Sequence, residues 1–101
     1  MNLVLSLQDF YTLVEHAATP PNDWSDVEAA LWWDAKGNWE RSHELVDNLG
    51  TPSACWIHAY LHRKEGDQWN AAYWYRKAQK PIPQISLETE FENLVATLLL
   101  S

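Results

Sequence analysis

The chain has 101 residues, a length that suits one domain with a modest core and is too short for two. It is 47% hydrophobic and 21% charged, with 7 Trp and 4 Tyr against 2 Phe and a formal net charge of −7. That acidity excludes a phosphate-binding nucleic-acid surface, which needs clustered Lys and Arg, and it disfavours an anionic membrane surface.

In chain order, the start "MNLVLSLQDFYTLVEH" has no basic leader and sets Asp9 where an apolar run would continue, so no export signal is read and a cytoplasmic location is expected. Helix 1 begins at Ser6, with Asp9 three residues on as a near capping box. Its apolar stripe is Leu7, Phe10, Tyr11, Val14, Ala17 and Ala18. "TPPND" ends it, because consecutive prolines remove donors and fix φ. Ser25 with Glu28 opens helix 2, and Gly37 closes it as the left-handed residue past the C-cap. Asn38 caps helix 3, which runs to Leu49 and stops at Gly50. Thr51 and Pro52 start helix 4, which ends at Gly66; Pro in the first turn costs no hydrogen bond. Asp67 caps helix 5, and "KPIP" ends it. Ser86 opens helix 6, whose early Glu88 and Glu90 favour the positive end of the dipole. Phe91, Leu94, Val95 and Leu98 then form a core-facing stripe, and the tail is far shorter than the ~20 apolar residues of a membrane span. No window alternates as a strand does. The expected fold is all-α, one domain over 1–101, with helical hairpins at about 25–50 and 52–80 flanked by terminal helices.

The two hairpins share a spacing. Gly37 and Gly66 lie 29 residues apart. Each is followed at five by a small residue (Ser42, Ala71) and at nine by a larger one (Val46, Tyr75). Ala30 and Ala59 precede the glycines by seven. "EGDQWNAAYWYRKAQKPIP" resembles the second half of a tetratricopeptide repeat, with Gly66-Asp67, Ala71, Tyr75, Ala78 and Pro83 in register, and its ending is similar to a Sel1-like repeat. The match is better over 53–83 than over 24–50, where Ser42 and Leu49 stand in place of alanines, and the period falls short of the family's roughly 34. The chain also resembles small bacterial proteins without an assigned activity. The resemblance implies a scaffold that binds a protein or peptide partner, through a concave face built by the first helix of each repeat.

On that register the expected groove carries Trp56, Tyr60, Arg63 and Lys64, two aromatics followed by two cations suited to an acidic segment. Trp69 and Tyr73 share a face distinct from Ala71, Tyr75 and Ala78, and form a second aromatic patch. Trp33 and Trp74 read as core, and adjacent Trp32 must point elsewhere than Trp33. The alternative is a metal or small-ligand site, possibly an enzyme's. His58 and His62 sit at i, i+4 with Glu65 a turn on, and Glu40 and His43 sit at i, i+3 on the partner hairpin. No H-E-x-x-H, nucleophile elbow or phosphate loop accompanies them, so no cofactor and no catalytic residue is expected. The single cysteine, Cys55, reads as a core thiol of a reducing compartment.

Overall fold

The computed structural model describes residues 4 and 6–100. Residues 1–3, 5 and 101, which carry part of the leader and tail readings, lie outside the described residues. The architecture is all-helical, with no strand among the described residues. The helices are α1 Leu7–His16, α2 Asp26–Ala35, α3 Trp39–Asp47, α4 Pro52–Lys64, α5 Gln68–Lys77 and α6 Leu87–Val95, and α6 runs on into a π-helical turn, Ala96–Leu100. None is long and apolar enough to cross a membrane.

Local chemistry sets these boundaries. Ser6, Ser25, Asn38, Thr51, Asp67 and Ser86 each accept the N–H three residues on, filling a donor that the first turn leaves free. Ser25 and Glu28 close a reciprocal capping box, with Glu28 Oε1 accepting the Ser25 N–H at 2.9 Å. Gly37 and Gly66 adopt φ +94° and +88°. In both turns the following N–H reaches back to the carbonyl five residues earlier, from Asn38 to Trp33 and from Asp67 to His62. The same turn closes α5, but there Gln79 takes the left-handed position at φ +61°. Its partner bond runs from the Lys80 N–H to the Tyr75 carbonyl at 3.0 Å. Helix α3 stops at Asp47, short of the expected Leu49, because Asn48 ends it and the Leu49 N–H bonds the Val46 carbonyl in a tighter turn.

Helices α2 and α3 pack as one hairpin and α4 and α5 as another, with α3 against α4, α6 against α4, and α1 and the π turn against α2. Small residues sit at the crossings. Buried Ser42 donates to the Ala30 carbonyl at 2.7 Å, and Ala59 and Ala71 are buried in the second hairpin. Helix α4 is the centre: Ala54 through Leu61 are all buried, so this helix has no solvent face over two turns. Cys55 lies in that run. Several expected core positions differ, and Ala18 lies exposed past the end of α1. Tyr11 is 38% exposed, and it is Trp32 that is fully enclosed whereas Trp33 is only half-buried.

Two carboxylates are buried with partners. Asp34 receives Lys64 Nζ at 3.0 Å, and burial raises its pKa against that cation's pull. Glu90 accepts from Trp56 Nε1 at 3.1 Å, Arg63 at 2.8 Å and the Tyr75 hydroxyl at 2.6 Å, tying α4, α5 and α6 together. Burial, then the bond to Glu90, pushes the Tyr75 hydroxyl pKa up.

Candidate functional site

Three of the four metal-alternative residues meet at the seam between the hairpins. His43 comes from α3, and His58 and His62 come from successive turns of α4. One ring nitrogen from each of the three histidines lies within 4.8 Å of the others. The His43 ring stands edge-on to His58 and His62, at centroid distances of 4.6 and 5.3 Å. Two indoles close the ends: Trp39 stacks on His43 at 5.0 Å and Trp74 on His58 at 3.8 Å. Trp39 is itself fixed by donating Nε1–H to the Leu61 carbonyl at 2.9 Å, which joins α3 to the end of α4. Glu40, expected with this group, is exposed and does not belong to it.

The ring nitrogens divide by partner. His62 Nδ1 lies 2.6 Å from Glu65 Oε1, which leaves Nε2 as the free lone pair when Nδ1 carries the proton. His58 turns Nε2 toward Asp47 at 4.0 Å, while its Nδ1 is buried with no hydrogen-bond partner. An orphaned buried nitrogen is uncommon, because burial without a partner costs the group its solvation. His58 is only 2% exposed, and desolvation, followed by repulsion from His43 and His62, lowers its pKa to about 4. It is therefore a neutral imidazole at physiological pH. An imidazole cluster that includes a neutral, desolvated His58 can coordinate a cation or stack a flat ligand.

The expected groove on α4 is corrected by packing. Trp56 and Tyr60 are 8% and 4% exposed, and α6 lies across them. The Tyr60 ring packs on Phe91 at 5.8 Å, Trp56 donates to Glu90, and Lys80 Nζ sits 4.0 Å from the Trp56 ring centre. Arg63 and Lys64 are held by Glu90 and Asp34, and Arg63 also donates to the Ile85 carbonyl. The face expected to be concave is filled by α6, whose apolar stripe packs there. Trp69 and Tyr73 behave differently: they are 78% and 40% exposed on the outer side of α5.

An open groove of about 750 Å³ runs between α5 and the 79–86 connector. Ala71, Ala72 and Tyr75 form its α5 side, Ile82, Pro83 and Leu87 the opposite wall, with Trp69 and Arg63 also lining it. Ile82 and Ile85 remain 57% and 39% exposed, held out by a proline-flanked connector that cannot fold back as helix. On α5, Trp69, Ala72 and Arg76 follow i, i+3, i+7 and share one stripe. Lys77 covers the next, 5.1 Å from the Trp74 ring and 5.6 Å from Tyr73.

Sequence reasoning missed Trp39, Asp47, the connector isoleucines and the burial of Glu90. For Glu90 a signal existed: it sits between Leu87 and Phe91–Leu94 on the apolar stripe of α6, where an unpaired carboxylate could not be tolerated. Comparison of the chain with protein-family models, curated proteins and solved structures gave no match in any of the three.

Proposed function

We propose that this chain is a small tetratricopeptide-like interaction module that binds an acidic segment of a protein partner along α5 and the 79–86 connector. The observation that carries the reading is Trp69, 78% exposed beside a groove walled by Ile82, Pro83 and Leu87. Leaving so large an aromatic in water is costly, and Trp is the residue type most enriched among the anchors of protein interfaces. Charge supplies the chemistry of the partner. Five of the seven cations of a chain with net charge −7 lie between Arg63 and Lys80. Arg63 and Lys64 neutralise buried carboxylates, whereas Arg76, Lys77 and Lys80 stand on the exposed side of α5 and its exit. An apolar anchor flanked by Asp or Glu complements that surface. A cytoplasmic setting belongs to the reading, supported by the lone buried thiol of Cys55.

Selection from a random-peptide display library tests it. Enriched peptides are expected to place an aromatic or aliphatic residue beside two or more acids. A labelled peptide of that consensus should bind at least about tenfold more weakly to Trp69→Ala. It should also bind more weakly to Arg76→Glu, with the helical circular dichroism of both variants unchanged. A consensus without acids, or binding indifferent to Trp69→Ala, would refute the assignment of this face.

A further inference from the structure

We infer that His43, His58 and His62 form a binding site for a divalent late first-row transition metal, with zinc its natural occupant by chemistry. The site lies at the α3–α4 seam, away from the α5 groove, and is independent of the interaction reading. Three observations meet there. The three donors are on helices that pack directly, so the fold itself brings them within 4.8 Å of one another. The His58 Nδ1 is buried and unpartnered, a lone pair without a structural use among the described residues. A carboxylate stands behind two of the rings: Glu65 at 2.6 Å from His62 Nδ1, and Asp47 at 4.0 Å from His58 Nε2. A carboxylate hydrogen-bonded as Glu65 is orients a metal-ligating imidazole and strengthens its basicity, whereas Asp47 acts on His58 only as a nearby charge.

The donor set selects the ion. Imidazole suits zinc, copper and nickel, whereas magnesium and calcium take oxygen donors. Nitrogens around one zinc sit roughly 3.4 Å apart, from bond lengths of about 2.1 Å, so closure asks each ring to swing by about an ångström. His43 and His62 are only partly buried, so water can reach the fourth position and complete a tetrahedral shell. Stacking of Trp39 on His43 and of Trp74 on His58 excludes solvent from the flanks.

A second group, His62, Glu65 and Asp67, also falls within reach of one ion, at the more exposed end of α4. The experiment separates the two. The purified chain is stripped with chelator, titrated with Zn²⁺ and with Co²⁺, dialysed, and analysed for bound metal and for visible cobalt absorption. One ion per chain with intense tetrahedral cobalt bands is expected. His43→Gln should weaken binding at least about tenfold, Glu65→Gln by a similar or smaller factor, and Asp67→Asn not at all. Zinc should also shift the ring proton resonances of His43, His58 and His62 in the parent protein and leave His16 unmoved, a readout that needs no variant. No retained metal, or binding lost in Asp67→Asn but intact in His43→Gln, would overturn the site.

Discussion

Single residues in this chain carry conformational and electrostatic stress that can be read out directly. Gln79 holds a left-handed backbone at φ +61°, in the position that Gly37 and Gly66 fill elsewhere. A residue with Cβ is strained there by about 1–2 kcal/mol, and glycine's extra freedom in the unfolded chain takes back roughly 0.5–1. Gln79→Gly should therefore stabilise by roughly 0.5–1 kcal/mol and raise Tm by a few degrees in a calorimetric scan. His58 bears the opposite kind of stress. Its folded pKa is about 4, below the 6.5 of an unhindered histidine, so the unfolded chain binds the extra proton first as pH falls. Its contribution is intact above about pH 6.5, is lost progressively between there and pH 4, and is constant below. In chelator-treated protein this should amount to about 2 kcal/mol, seen as the difference in urea-unfolding free energy between pH 7.5 and pH 4.5. His58→Gln should flatten that part of the pH profile.

At the scale of elements, what was legible followed from local chemistry, and what was not followed from tertiary cover. All six N-caps and both glycine turns are properties of a few neighbouring residues, so Ser25 with Glu28, or Gly66 with Asp67, declare themselves in one dimension. The i, i+4 spacing of His58 and His62 likewise puts them on one face, whereas spacing alone cannot place Glu40, since nothing in the sequence says how α3 is rotated against α4. The fate of Trp56 and Tyr60 was hidden for a different reason. Helix α4 carries large or apolar residues on every side over Ala54–Leu61, with His58 the one polar member, so periodicity cannot tell an inner groove face from a face that α6 covers. Burial under α6 has a measurable consequence. Trp56→Ala removes an indole that is 8% exposed and strips Glu90 of one donor, and should cost about 3–5 kcal/mol. Against the roughly 5–15 kcal/mol expected of a whole domain, the variant should show a urea midpoint lowered by about a fifth or more. A loss below about 0.5 kcal/mol would return Trp56 to the surface.

The whole molecule divides its charge unevenly, and salt acts on the two parts with opposite sign. Of 14 acidic residues only Asp34 and Glu90 are buried against a Lys or Arg; nearly all the rest stand at the surface. A net charge of −7 on a particle with a radius of gyration of 12.7 Å repels itself. That distance is comparable to the Debye length of about 10 Å at 0.1 M salt, which shrinks to about 3 Å at 1 M, so added salt screens most of this repulsion. Thermal stability should accordingly rise with sodium chloride, whereas the buried Glu90–Arg63 pair, being out of water, is little affected. Attraction between an acidic peptide and Arg76, Lys77 and Lys80 is exposed and is screened by the same ions. Peptide affinity should fall several-fold between about 0.05 and 0.5 M salt while Tm climbs. Arg76→Glu should reduce the salt dependence of affinity, leaving that of Tm nearly as it was. If stability and affinity move together with salt, or if affinity ignores it, the ligand is not acidic and the basic rim of α5 has no part in holding it.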